Sequence, residues 1–238
     1  MKRAVKKSRF VSLVAAFAAI NFICDAIVFP QLSEGVWYGL VFISEPITGI
    51  VLGPYAGFLS TFIGVMVSHV ISPRGVEEFL FTIGAPIGAM VSGLMFTGGR
   101  KKVLVYYSVL LTSYFITPVA WQLPAWGMWD VYLAYIALLV IILLVAAKGG
   151  SMREMNRNPV FLAAYAFVGL EADVLFRIFL FIPCQTYRFL YGLPVEALQA
   201  IWVAGAIVTP IKVAISALVT ASLGLRLLKI IDVWPTEE

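Results

Sequence analysis

The chain has 238 residues, 61% hydrophobic and 13% charged, with a formal net charge of +4 and a mean hydropathy of +0.96. Soluble domains carry roughly 45–50% apolar and about 25% charged residues. A water-soluble globule could not hide the excess, which excludes a soluble enzyme, a nucleic-acid binder and a disordered chain. The composition is that of an integral membrane protein, in which a basic balance reflects cytoplasmic loops that collect Lys and Arg. Eight spans of about 20 residues would use roughly 160 positions and leave room for no extramembrane domain.

In chain order, apolar runs predict helices over 10–30, 38–53, 54–71, 79–97, 103–121, 130–147, 159–183 and 199–228. The opening MKRAVKKSRF followed by an apolar run resembles a signal peptide. The run to Pro30 nevertheless has the length of a full span and lacks a small-residue cleavage site, so it reads as a retained first helix. The second and third segments are short and meet at Gly53-Pro54, either as a tight reversal or as one long broken element. The expected fold is therefore all-α: one polytopic transmembrane domain over 1–238 with about eight transmembrane helices.

Charge placement orients it. Lys2, Arg3, Lys6, Lys7, Arg9, Arg100, Lys101, Lys102, Lys148, Arg153, Arg157, Arg226 and Lys229 fall on one side if both termini are cytoplasmic. Arg74 and Arg188 fall in outer loops, and Arg177 and Lys212 inside helices. That asymmetry fits an even number of spans.

The predicted outer loops, WYG at 37–39, WQLPAWGMWD at 121–130 and CQTYRFLYGLP at 184–194, are rich in aromatics, Pro and Gly. They read either as the aromatic belt of a membrane interface or as a lid whose rings, Trp37 among them, stack on a small ligand. Cys24 and Cys184 form neither a disulfide framework nor a metal site; both lie near the outer side, as isolated thiols or a pair. There is no metal-ligand spacing, phosphate loop or nucleophile motif.

A charged side chain in the hydrocarbon layer costs about 2.5–3.5 kcal/mol on insertion scales, so each one needs a reason. The candidates are Asp25, Glu45, His69, Glu171, Asp173, Arg177 and Lys212. At about 1.5 Å per residue, Asp25, Glu45, His69 and Arg177 fall in the outer half of a layer roughly 30 Å thick, as an outward-opening cavity requires. Glu171 and Lys212 lie near the midplane at similar depth, and a bridge between them is the natural expectation. Asp173 and Arg177, four apart, pair within one helix. Each such group serves either as a structural pin between helices or as part of a ligand site.

Three segments carry a family resemblance: LVAAFAAINF with its Ala15-x-x-x-Ala19 spacing, ISEPITGIVLGPYAGFLSTFIG, and VTPIKVAISALVTASLGLRLLK. Together they resemble the substrate-binding S component of an energy-coupling factor (ECF) transporter. Gly53, Pro54 and Gly57 match the family's junction between its second and third helices; Thr61 and Val65 depart from it. The family has six helices, which makes 103–147 an added hairpin. The resemblance implies capture of a small vitamin-like nutrient at the outer face of the cell membrane. The candidate ligand contacts remain those read from the layer and the outer loops: Asp25, Trp37, Glu45, His69, Glu171, Arg177 and Lys212. The resemblance further implies that Ala15 and Ala19 contact a transmembrane coupling protein, and that two cytoplasmic ATPase subunits consume the ATP. The chain itself would then be no enzyme and would carry no cofactor. The alternative is an ion-coupled secondary transporter in which Glu171 carries a proton that Lys212 releases. A membrane-embedded enzyme is a third reading, with only the lone His69 to support it.

Overall fold

The computed structural model describes residues 2–30, 37–72, 75–148 and 152–231. The chain runs α1 (Lys2–Ala26), β1 (Val28–Pro30), β2 (Trp37–Gly39), α2 (Val41–Leu52), α3 (Pro54–Ile71), α4 (Val76–Thr82), α5 (Gly84–Thr97) and α6 (Arg100–Ile116). Two short 3-10 turns, Pro118–Gln122 and Ala125–Met128, lead into α7 (Trp129–Lys148). There follow α8 (Met152–Asn156), α9 (Pro159–Phe181), α10 (Thr186–Phe189) and α11 (Val195–Ile231).

Each of the eight predicted segments has a helical counterpart, but the lengths differ from expectation. Six described segments are long and apolar enough to cross a membrane: Ser8–Ala26, Pro54–Ile71, Glu78–Thr97, Ala125–Ala147, Pro159–Phe181 and Val195–Ile230. The helix α2 has 12 residues, about 18 Å of rise against a hydrocarbon layer of roughly 30 Å, and α6 has 17. The first helix also stops sooner than the apolar run does. Val28–Pro30 leaves it to pair antiparallel with Trp37–Gly39, Val28 opposite Gly39, a ribbon that hydropathy alone reads as helix because Val and Phe suit both.

At the Gly53-Pro54 junction the chain reverses. Gly53 has φ 82°, a left-handed value that favours glycine, and Pro54 opens α3 at a position where a missing N–H costs nothing. A Cβ on Gly57 would come within 2.7 Å of the Gly49 Cα, so α2 and α3 lie against each other rather than forming one broken rod.

Packing is centred on α5, which lies against α2, α3 and α9. α1 leans on α3, α11 on α9 and α2, and the α6–α7 hairpin on the far side of α9. Close approach depends on small residues: a Cβ on Gly49 would overlap the Ala89 carbonyl, and one on Gly169 would overlap the Ser92 hydroxyl. The α6 face is fixed by Tyr107 and Tyr106, whose hydroxyls donate to the carbonyls of Val168 (2.7 Å) and Ala172 (2.8 Å). Polarity is inverted relative to a soluble protein. Val11, Val70, Ile116 and Leu218 are exposed while Asn21, Thr48, Thr61 and Ser216 are fully buried.

Among the described residues two helices carry an interior proline, and in each the carbonyl it orphans finds a donor on another helix, as a low-dielectric setting requires. Pro46 frees the Phe42 carbonyl, which accepts from Ser216 Oγ of α11 at 2.6 Å. Pro210 frees the Ala206 carbonyl, which accepts from Trp129 Nε1 of α7 at 3.0 Å. Ser216→Ala should therefore cost about 1–3 kcal/mol by stranding a buried carbonyl. A thermal-unfolding comparison with Ser222→Ala, on the exposed face of the same helix, checks it; equal losses would refute the capping role.

Candidate functional site

The ionisable residues predicted inside the layer fall into three groups. The first joins α2, α9 and α11. Glu45 is fully buried, and the charges that act on it are Asp173, Arg177 and Lys212. Arg177 forks onto Asp173, Nε to Oδ1 at 2.6 Å and Nη2 to Oδ2 at 3.0 Å, so the expected pairing four apart on one helix is present. The Arg177 side chain is 36% exposed and forms the rim of the cluster. The Lys212 ammonium lies 5.6 Å from the centroid of the Phe42 ring, a cation–π distance. Helix α5 meets this group with glycines: a Cβ on Gly84 would overlap the Asp173 carboxylate, and one on Gly88 the Glu45 carboxylate. Among the described residues, neither oxygen of Glu45 has a hydrogen-bond partner.

The second group joins α1, α3 and α4. Thr82 Oγ1 lies 2.7 Å from His69 Nε2, and Asp25 Oδ2 lies 3.6 Å from the same nitrogen. The Phe79 ring covers the imidazole at 5.2 Å between centroids. His69, 1% exposed, is therefore a core residue rather than an interfacial one. One turn before Asp25, Asn21 ties three helices together. It donates to the Phe17 carbonyl (2.9 Å) and to Thr48 (3.1 Å), lies 3.4 Å from Thr61, and accepts from Ser44 (2.7 Å).

Glu171 stands apart, which corrects the expected Glu171–Lys212 bridge. The charges acting on Glu171 are Asp130 of α7 and its own-helix neighbour Asp173, not Lys212. Among the described residues, neither of its oxygens has a hydrogen-bond partner. Depth matched the two residues, but rotation did not. Glu171 is about 200° around α9 from Asp173, and the Asp173 side faces the cluster with Lys212 while Glu171 faces the α6–α7 hairpin. Neutralising Glu171 and Lys212 together should thus give the sum of the single losses to within about 0.5 kcal/mol. A double-mutant cycle read by thermal unfolding checks this, and coupling above that level would restore the bridge.

The aromatic loops divide between the two readings. Trp121, Trp126 and Trp129 are exposed, as belt residues are. Tyr187 and Tyr191 instead turn inward onto Phe181, with centroids at 6.2 and 5.7 Å, and Tyr191 donates to Glu78 at 3.3 Å. Trp37 is placed only as backbone in β2, and its side chain lies outside the described residues; Arg74 lies outside them altogether. Cys24 and Cys184 are both free thiols. On α1, Ala15 and Ala19 lie on the exposed face, while Phe17, Ala18 and Asn21 face the bundle.

Residues that sequence reasoning missed are the unglamorous partners: Asn21 with its Ser/Thr ring, Thr82, and the glycines Gly84 and Gly88. The signal was the four-residue spacing Asn21–Asp25, Ser44–Thr48 and Gly84–Gly88, which puts each pair on one helix face. Two surface concavities lie away from the charged cluster. One is a groove of about 640 Å³ between α6 and α7 lined by Leu111, Phe115 and Tyr132, and the other a hollow of about 300 Å³ at Tyr187–Val195. Among the described residues no group of three or more His, Cys, Asp or Glu side chains is placed to hold a metal ion. No protein-family model, no curated protein and no solved structure matches the chain.

Proposed function

We propose that the chain is the membrane-embedded capture subunit of an ATP-driven importer, multi-pass in the cell membrane with both termini cytoplasmic. It takes a small vitamin-like nutrient from the outer face and works with a transmembrane coupling protein and two ATPase subunits. The observation that carries this reading is the bare face of α1. Ala15 and Ala19 remain exposed on a helix that meets the bundle through Phe17, Ala18, Asn21 and Asp25. Small residues on a membrane helix allow a second backbone to approach closely, and an uncovered set of them suits a partner helix. The mixed-charge cluster of Glu45, Asp173, Arg177 and Lys212 supports a ligand site in the same subunit, since intramembrane ionisable groups mark substrate pathways. The capture reading does not call on a Glu171–Lys212 pair, which the ion-coupled alternative uses for proton release and which the charges acting on Glu171 do not include.

The experiment is reconstitution. Proteoliposomes containing only this chain should bind the small molecule that co-purifies with it, identified by mass spectrometry, and should not concentrate it. Accumulation should require the coupling protein, the ATPases and ATP. Accumulation by the chain alone, driven by a pH or sodium gradient, would overturn the proposal in favour of a secondary transporter.

A further inference from the structure

We propose that the groove between α6 and α7 binds one acyl chain of a membrane phospholipid, whose ester carbonyl accepts a hydrogen bond from the Tyr132 hydroxyl. The site is separate from the charged cluster and does not depend on the capture-subunit reading.

Position decides the class of occupant. The groove measures about 640 Å³, within the range of about 300–1,000 Å³ that small-molecule sites occupy. Its α6 wall runs from Ser108 to Ile116, the last residue of that helix, a rise of about 12 Å. Its α7 wall is Tyr132 and Tyr135, in the first two turns after Trp129. The groove therefore starts at the end of the hairpin marked by the exposed Trp121, Trp126 and Trp129 and stops near half depth. The hydrocarbon layer holds no water to fill it, so its occupant comes from the bilayer.

The walls suit a flexible chain better than a partner helix. Leu111, Phe115, Ile116 and Tyr132 are bulky, whereas helices that meet closely in a membrane do so across small residues. Two contacts tie α6 to α7 at different levels. Ser108 Oγ lies 2.9 Å from the Tyr135 hydroxyl, and the Phe115 and Tyr132 rings stack with centroids 6.2 Å apart. The first contact engages both of its hydroxyls. Tyr132 differs: it is half-buried, and among the described residues its hydroxyl has no hydrogen-bond partner. A tyrosine hydroxyl out of water normally finds an acceptor. Because the Cα–Cβ bond of a helical residue tilts toward the helix N-terminus, Tyr132 leans toward the Trp-marked end. Ester carbonyls border the hydrocarbon there and supply the acceptor. The hydroxyl lies under the surface of the wall beside Phe115, which is 48% exposed and has room to turn aside.

The test follows thermal unfolding of the full chain, stripped of bound lipid in detergent, as lipid is titrated back. The two probes are dioleoylphosphatidylcholine and its diether twin, which has the same chains and headgroup but no ester carbonyl. Wild type should be stabilised saturably by both, with the diester acting at a mole fraction lower by about five-fold or more, as one hydrogen bond gives. Tyr132→Phe removes the donor, keeps the ring, and should bring the two lipids level. Thr112→Trp fills the groove from an exposed position on α6 and should remove the saturable response to both. Should Thr112→Trp not fold, Ile116→Trp does the same from another exposed position. Ile207→Trp, on the exposed face of α11, should leave both responses unchanged.

Three results would overturn the proposal: no saturable response of wild type, equal action of the diester and diether lipids on wild type, or an undiminished response once the groove is filled. A lipid-free chain that is dimeric by light scattering and becomes monomeric with Thr112→Trp would overturn it too, because a second copy would then be the occupant.

Discussion

Gly49→Ala is expected to remove most of the folded protein. A methyl group there would be built into the carbonyl of Ala89 on α5, a rigid backbone atom with no rotamer to yield. Neighbouring glycines show how tight the crossing is. A Cβ on Gly57 of α3 would fall 2.7 Å from the Gly49 Cα, and one on Gly93 would fall 2.7 Å from the Gly49 carbonyl. Overpacking in a close-packed interior typically costs about 1–3 kcal/mol. Here the clash is with the α5 backbone itself, at the Ala89 carbonyl oxygen and carbon, so the loss should reach about 3 kcal/mol, a large share of a typical domain's stability. The measurement is the monodisperse fraction and thermal midpoint of the detergent-solubilised variant. Gly205→Ala, whose added carbon would meet nothing within 4 Å, is the matched control. Equal behaviour of the two would mean that the α2–α3–α5 crossing is not as tight as described.

On the capture-subunit proposal, replacing Ala15 and Ala19 together with Trp is expected to lower uptake by an order of magnitude or more in cells that carry the proposed partner subunits. Binding of the co-purified ligand by the isolated chain should persist. Both side chains lie on the exposed face of α1, so the substitution should alter the stability of the chain by no more than about 0.5 kcal/mol. Under the proposal the effect falls on the coupling protein, because two indoles would hold its helix away from small residues that allow close backbone approach. Uptake that survives the double substitution would move the coupling surface off α1. Uptake and ligand binding lost together would place the effect in the chain's own fold.

How much of this could be read from the sequence depended on how local the cause was. Apolar length is a local property, and each predicted helical segment is present. The Asp173–Arg177 pair was legible for the same reason, since a spacing of four on one helix decides it. At Gly53-Pro54 the residues announced a break but left a tight reversal and a broken rod both open, and the close approach of Gly57 to Gly49 decides for the reversal. What was not legible is the rotation of one helix against another. Glu171 and Lys212 sit at similar depth, and depth is readable from a count of residues. Which way Glu171 points depends on where the glycines of α5 and the tyrosines of α6 lock α9, and that is decided by packing far along the chain. The proline carbonyls show the same limit: Pro46 and Pro210 announce that a carbonyl is orphaned, but nothing nearby announces Ser216 or Trp129 as the donor. The break in the first apolar run at Val28 was missed because a three-residue ribbon leaves no periodicity to detect.

The internal pairing on α9 bears on how the chain is made. A segment delivered to the bilayer one at a time must cross with whatever counter-charge it carries itself. Asp and Arg at a helix centre each cost about 2.5–3.5 kcal/mol when presented singly, but α9 brings its acid and its base as a joined unit. The pairing therefore lowers the cost of these two side chains without help from any other helix. Glu45 and Lys212 have no such companion on their own helices, and the charges that act on them come from α9 and from each other. Glu45 of α2 precedes α9 in the chain and Lys212 of α11 follows it, so the acid meets its cations only once α9 and α11 are in place.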